Sequence, residues 1–267
     1  MIIKVFKQEV KKLHMKKSFL FLLTLVLLMT VITVFVYKDL RRIAITGAEG
    51  IERLSPFIIE FLPNISNVEF SRQILREMLV KTPLPIGTMF LLIIVFDIFN
   101  NEKRGKIIEN ASFYTHNETS IIYGKDLTIL YLVCFVLFFQ LILAFILSIP
   151  LLGITANGII DLVKIYLLLI FPYTSILLFV GLLSLIIFNK AVLYLICFVG
   201  IVVLSIISPQ VAKIHLLPTN IFTLVNQGDI INISLKDGAS IIVVSSIFIC
   251  LTLICTKFYL SYVRRSS

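Results

Sequence analysis

Asp97 and Gln140 each interrupt an apolar run. A carboxyl or amide set among apolar neighbours is where a proton, a cation or a hydrogen-bonded ligand would be held. Asp97 lies near the end of its run, where a charge costs little, and Gln140 lies in the middle of its own. A third candidate is the stretch FPYTS, in which Pro172 can kink a helix and turn Tyr173, Thr174 and Ser175 toward an interior surface. These five residues read as the lining of a pathway. They do not read as a catalytic set: no apolar run holds paired carboxylates, HExxH or GxSxG. The four cysteines (Cys134, Cys197, Cys250 and Cys255) lie in apolar runs without CxxC spacing, so they read as small buried hydrophobes, with no metal site. GxxxxGK[ST] is absent as well. The chain has no P-loop to cradle ATP phosphates, no cofactor of its own is expected, and energy would have to come from a partner.

The elements that position these residues are set by hydropathy. Of 267 residues, 59% are hydrophobic and only 15% charged, and the mean hydropathy is +1.04. Soluble domains carry about 45–50% apolar and about 25% charged residues. The excess is in blocks long enough to cross a bilayer. Six spans are expected, over residues 18–37, 84–100, 127–150, 165–188, 191–208 and 240–262. The fold class is therefore all-α: one polytopic, six-span membrane domain.

Six spans leave both termini on one side. Fourteen of the 24 Lys and Arg residues fall on that face, six of them before residue 18. The positive-inside rule makes it the cytoplasmic face of a cell membrane. The net charge of +9 then reflects topology and anionic lipid headgroups rather than nucleic acid. The first span is too long for a signal-peptide core and is read as retained.

Outside the spans, residues 1–17 are amphipathic, with Ile3, Phe6, Val10 and Leu13 at helical spacing opposite lysines. This predicts a helix lying in the membrane interface. The outer loop 38–83 carries two short apolar stripes, Ile51/Leu54/Ile58/Phe61 and Phe70/Ile74/Met78, which predict two surface helices. The outer loop 209–239 contains IHLLPTNIFTLVN, apolar but broken by Pro218. Thr30, Thr33, Ser205, Ser245 and Ser246 dot the spans and read chiefly as helix-packing contacts.

Between the second and third spans lies NEKRGKIIENASFYTHNETSIIYGK, residues 101–125. A plain connection needs only a few residues. Here residues 102–112 can form a helix with Ile107, Ile108 and Ala111 on one side and charges on the other. Thr115 and Glu118 have capping-box spacing for a second helix leading into the third span. That is the form of a docking element.

Asp97, Glu102-x-x-Gly105 and Gly124-Lys125, with the basic opening FKQEVKKLHMKKSFLFLL, resemble the permease subunits of type-2 ABC transporters. In place of the Pro-Val-Ser-Arg often found in that family, this chain reads Thr115-His116-Asn117-Glu118. The resemblance implies a prokaryotic exporter subunit with six spans, an N-terminal interfacial helix and a coupling helix between spans two and three. It implies pairing with a second permease copy or paralogue, and two ABC ATPase subunits that bind the ATP. It puts Glu102, Gly105 and Lys125 in the zone that transmits their motion; Ile107, Ile108 and Ala111 are the expected anchor, and Lys125 is expected at the headgroups. The alternatives are a membrane-embedded immunity or sensor protein and an ion-coupled carrier.

Overall fold

Where water is excluded, a backbone must satisfy its own hydrogen bonds, and long apolar runs therefore become helices. The computed structural model describes residues 1–46, 67–77, 86–104, 118–152, 159–187, 189–207, 218–227, 230 and 232–266. Among these, the regular elements are all helical. In chain order they are α1 (Ile2–Met15), α2 (Lys17–Thr46), α3 (Asn67–Leu75), α4 (Ile86–Arg104), α5 (Glu118–Leu152), α6 (Ile159–Ile186), α7 (Lys190–Ile207), α8 (Asn220–Gln227) and α9 (Leu235–Ser266).

Four stretches are long and apolar enough to cross a membrane: Lys17–Leu40, Ser120–Leu152, Ile160–Ile186 and Leu235–Tyr259. They correspond to the first, third, fourth and sixth expected spans. The second and fifth correspond to the shorter apolar stretches Ile86–Phe99 and Lys190–Gly200. At 1.5 Å per residue these cover only about 20 Å, against a hydrocarbon core of about 30 Å.

The six longer helices run alternately up and down. Close to α1 lie the end of α4 and the start of α5; Asp97 near the end of α4 meets Lys190 at the start of α7, and Tyr259 near the end of α9 meets Leu185 at the end of α6. At the other end, Lys164 near the start of α6 donates to Ile233 O just before α9. The helix α6 is central: it packs against α4, α5, α7 and α9, and its apolar window is 61% buried, more than any other. Pro172 lies inside it without ending it, and Pro150 lies in the last turn of α5. Threonines and serines of the spans mostly bond back to their own helix, as Thr30 does to Val26 O, Thr33 to Met29 O and Ser246 to Ile242 O, which is packing chemistry.

α1 breaks from α2 at Lys16, whose backbone is extended, and folds back along α5. Its inner face differs from the expected stripe. Leu13 and Glu9 are buried, Phe6 and Val10 are part-buried, and Ile3 points outward beside the exposed Lys4, Lys7 and Lys11. The reason is the partner. α5 offers Tyr131 and Phe135, and His14 donates to or accepts from Tyr131 Oη at 2.8 Å while Phe19 and His14 meet edge to face. Two of the four cysteines also depart from the expected burial, since Cys250 and Cys255 lie on the exposed face of α9.

Candidate functional site

The residues expected at the end of the second span converge. Asp97 sits on α4 and accepts a salt bridge from Lys190 at 3.0 Å, at the first residue of α7. One residue on, Ile98 O accepts from Lys125 Nζ at 2.7 Å, and the ammonium lies 5.5 Å from the centroid of the Phe99 ring. Gly181 of α6 closes the other side: a Cβ there would come within 2.9 Å of the Phe99 ring. The last turns of α4 are thus held by three helices. An apolar groove of about 740 Å³ between α4 and α7, lined by Met89, Phe96, Tyr194 and Phe198, runs up to the Asp97–Lys190 pair.

Lys125 corrects the expectation of a headgroup anchor. It is fully buried within the bundle, with its ammonium turned to Ile98 O of α4 rather than outward to headgroups. Its neighbour Gly124 explains why. A Cβ at Gly124 would lie 2.6 Å from Val5 Cγ1 and 3.2 Å from the Phe6 backbone nitrogen. The missing side chain lets α1 press against α5 and seals the start of α5 away from solvent. The pair Gly124-Lys125 therefore works as one unit. The glycine admits α1, and the lysine turns to the other side of α5 to hold α4.

Glu102 lies in the last turn of α4, and its side chain is outside the described residues, as are Gly105, Ile107, Ile108 and Ala111. The expected docking anchor is therefore located only by its root. α4 enters it, through Arg104, directly from the clamped turn at Asp97–Phe99.

The expected pathway residues divide. Gln140 and Tyr166 meet in the middle of the α5–α6 contact: the tyrosine hydroxyl donates to Gln140 Oε1, and both side chains are buried. Tyr173 is fully enclosed, 3.4 Å from Thr88 Oγ1 of α4 and edge-on to Phe222 of α8. Thr174 and Ser175 face two different cavities. Ser175 donates to Pro172 O at 2.8 Å and borders a cavity of about 480 Å³ formed with α7, α9 and the Pro218–Thr219 turn. Thr174 borders a separate cavity of about 440 Å³ between α5, α6 and α9. Among the described residues no group of His, Cys, Asp and Glu has the arrangement of a metal site.

Sequence reasoning missed two residues. One is Gly124, read as part of a motif but not as the seat of α1. The other is Asp126, which borders the Thr174 cavity and stands one residue before the apolar run chosen as the third span. Glycine directly before two charged residues at the head of an apolar run was the available signal. Compared with protein-family models, curated proteins and solved structures, the chain matches none of them.

Proposed function

We propose that the chain is the membrane permease subunit of a type-2 ABC exporter, with six spans, both termini cytoplasmic and no ATPase site of its own. The observation that carries this reading is the clamp on α4. Lys190 on Asp97, Lys125 on Ile98 O and Gly181 against Phe99 bind the root of segment 101–117 to α5, α6 and α7. A push delivered to that segment by an ATPase would reach three helices at once. A loop that merely joined two spans would need no such fixing. On this reading Glu102, Gly105, Ile107, Ile108 and Ala111 meet the ATPase, while Lys125 passes on the motion without touching it. The short apolar stretches of α4 and α7 complete the six spans, their ends being carried by the buried Lys125 and the Asp97–Lys190 pair. The exposed stripe Val243, Ile247, Leu251, Ile254 and Phe258 on α9 suits lipid or a second permease copy.

The experiment is co-expression with an ABC ATPase whose gene neighbours this one. The ATPase is expected to co-purify and to hydrolyse ATP faster in the complex. Ile107→Asp and Ile108→Asp are expected to abolish co-purification while the chain remains inserted. Full ATPase recovery with both variants, or stoichiometric ATP binding by the chain alone, would sink the reading.

A further inference from the structure

A gap lies between α7 and α9. α7 packs mainly on α4, α6 and α8, and α9 mainly on α6. Between them is the cavity of about 480 Å³, with Ile176 and Leu183 of α6, both part-buried, as its floor. Its mouth is edged by Phe179 of α6, Ile196 of α7 and Leu251 of α9, each about half exposed. The hydroxyls on its border are turned away from the space. Ser175 donates to Pro172 O and Thr252 to Phe248 O, both at 2.8 Å and both back onto their own helix, while Thr219 Oγ1 is closed off. Cys197 and Cys255 add only thiols, which behave as small hydrophobes. Gly200 leaves room, since a Cβ there would meet nothing within 4 Å.

We propose that this cavity holds one acyl chain of a bilayer lipid, inserted sideways between α7 and α9. Chemistry and position both select that occupant. Buried waters need about two to four polar partners each, and the border hydroxyls are already spent on their own helices. A charged ligand finds no counter-charge among the lining residues. Left empty, the space would forfeit dispersion contacts along three helices at once. An alkyl chain restores those contacts and asks for no hydrogen bond. The lining falls within the apolar stretches Ile160–Ile186, Lys190–Gly200 and Leu235–Tyr259, so the mouth opens where the neighbouring medium is hydrocarbon. A helix of a second copy is too thick: one turn, about 11 Å across and about 5.4 Å tall, already takes up roughly 500 Å³. The inference needs only that α6 and α9 cross a bilayer, and it does not rest on the exporter reading.

The test places the full chain in phosphatidylcholine nanodiscs doped with a phosphatidylcholine that carries a photoreactive diazirine in one acyl chain. After irradiation, mass spectrometry locates the labelled residues. Phe138 and Ile142, exposed on α5, report the surrounding bilayer, and the fully buried Leu132 reports the closed core. Ile176 and Leu183 are expected to be labelled several-fold above Leu132. Gly200→Leu, whose side chain enters the open space, should abolish labelling at Ile176 and Leu183 and leave Phe138 and Ile142 unchanged. Labelling of Ile176 and Leu183 no higher than that of Leu132, as an empty space or a seated second copy would give, overturns the proposal. Labelling that Gly200→Leu leaves intact overturns it as well. Should Gly200→Leu not fold, the comparison of Ile176 and Leu183 with Leu132 in the unaltered chain decides alone.

Discussion

The two ends of the bundle solve the same problem in opposite ways. At the end carrying α1, polar contacts join helices far apart in sequence: α4 to α7 through Asp97–Lys190, α4 to α5 through Lys125, α1 to α5 through His14–Tyr131. At the other end the ion pair is local and cations reach across to backbone carbonyls. Arg72 pairs with Glu69 three residues earlier within α3, Gln73 joins the same carboxylate, Arg72 Nη1 donates to Val225 O of α8 at 2.8 Å, and Lys164 Nζ donates to Ile233 O at 2.7 Å. There Phe70 and Ile74 of α3 and Ile221, Phe222 and Val225 of α8 supply buried apolar surface. One end is tied helix to helix; the other is covered by two short helices. The proposed exporter would need such an asymmetry, with the tied end moving as a frame and the far end yielding.

The largest expected effect is at the frame. Gly124→Val would drive a side chain into Val5 and into the backbone at Phe6, which cannot retreat as a side-chain tip can. Overpacking costs about 1–3 kcal/mol, and the upper value is expected where backbone must move. The outcome is a lowered melting temperature, with α1 released to protease. Gly200→Ala is the control, since nothing lies within 4 Å of the added methyl. It should leave stability unchanged or raise it by up to about 1 kcal/mol through helix propensity. A Gly124→Val protein as stable as the unaltered one would mean α1 is not seated as described.

Next in size is Arg72→Ala at the yielding end. Breaking a buried pair by removing one partner costs about 3–5 kcal/mol, but Glu69 keeps some solvent, so about 2 kcal/mol is expected. The loss should be local. Hydrogen exchange should quicken over α3 and α8, while α1 and the start of α5 keep their protection. Equal loosening at both ends would remove the distinction between them.

Smaller again is the polar pair between the ends. Tyr166→Phe leaves Gln140 buried without its hydroxyl partner and should cost about 1–2 kcal/mol. Adding Gln140→Leu should restore most of that, because removing both partners is nearly neutral. A double variant no better than the single would show that Gln140 serves something other than this contact.

How much of this was legible follows from what hydropathy measures. It located the long apolar helices, because lipid and core both select apolar residues. It began the third span at residue 127, whereas α5 begins at Glu118. The turns before residue 127 hold Ser120 and Lys125, both buried, and at Lys125 the burial comes with the bond to α4 and the seating of α1 at Gly124 rather than from apolarity. The spacing of Thr115 and Glu118 signalled a helix running into the span from there, but a hydropathy window carries no trace of the burial. For the same reason Lys125 was expected at the surface, and Asp126 fell outside the span and was passed over. Pro218 was read as a break within an apolar stretch, whereas it precedes α8, where the missing N–H costs nothing. The side chains of Tyr173, Thr174 and Ser175 in the FPYTS stretch go to three places, since adjacent residues on a helix point about 100° apart. The docking anchor at Ile107, Ile108 and Ala111 lies outside the described residues.

The smallest stability effect is expected at the Asp97–Lys190 pair, and there the frame idea meets its sharpest test. The two side chains are 24% and 36% exposed, so solvent screens them and the pair is worth at the low end of about 0–1 kcal/mol. A double-mutant cycle with Asp97→Asn and Lys190→Met should return a coupling energy of that size in thermal unfolding. The same cycle read in ATPase stimulation should give a larger one. On the proposed reading, force entering at the end of α4 would reach α7 across this bridge, since the groove beside it is apolar and offers no other polar tie among its lining residues. Each single variant should therefore retain its fold and bind the ATPase yet lose stimulation. The charge-swapped pair, Asp97→Lys with Lys190→Asp, should recover part of it. Stimulation that follows stability in all four proteins would reduce the bridge to surface chemistry and leave Lys125 as the link from α4 to the rest of the bundle.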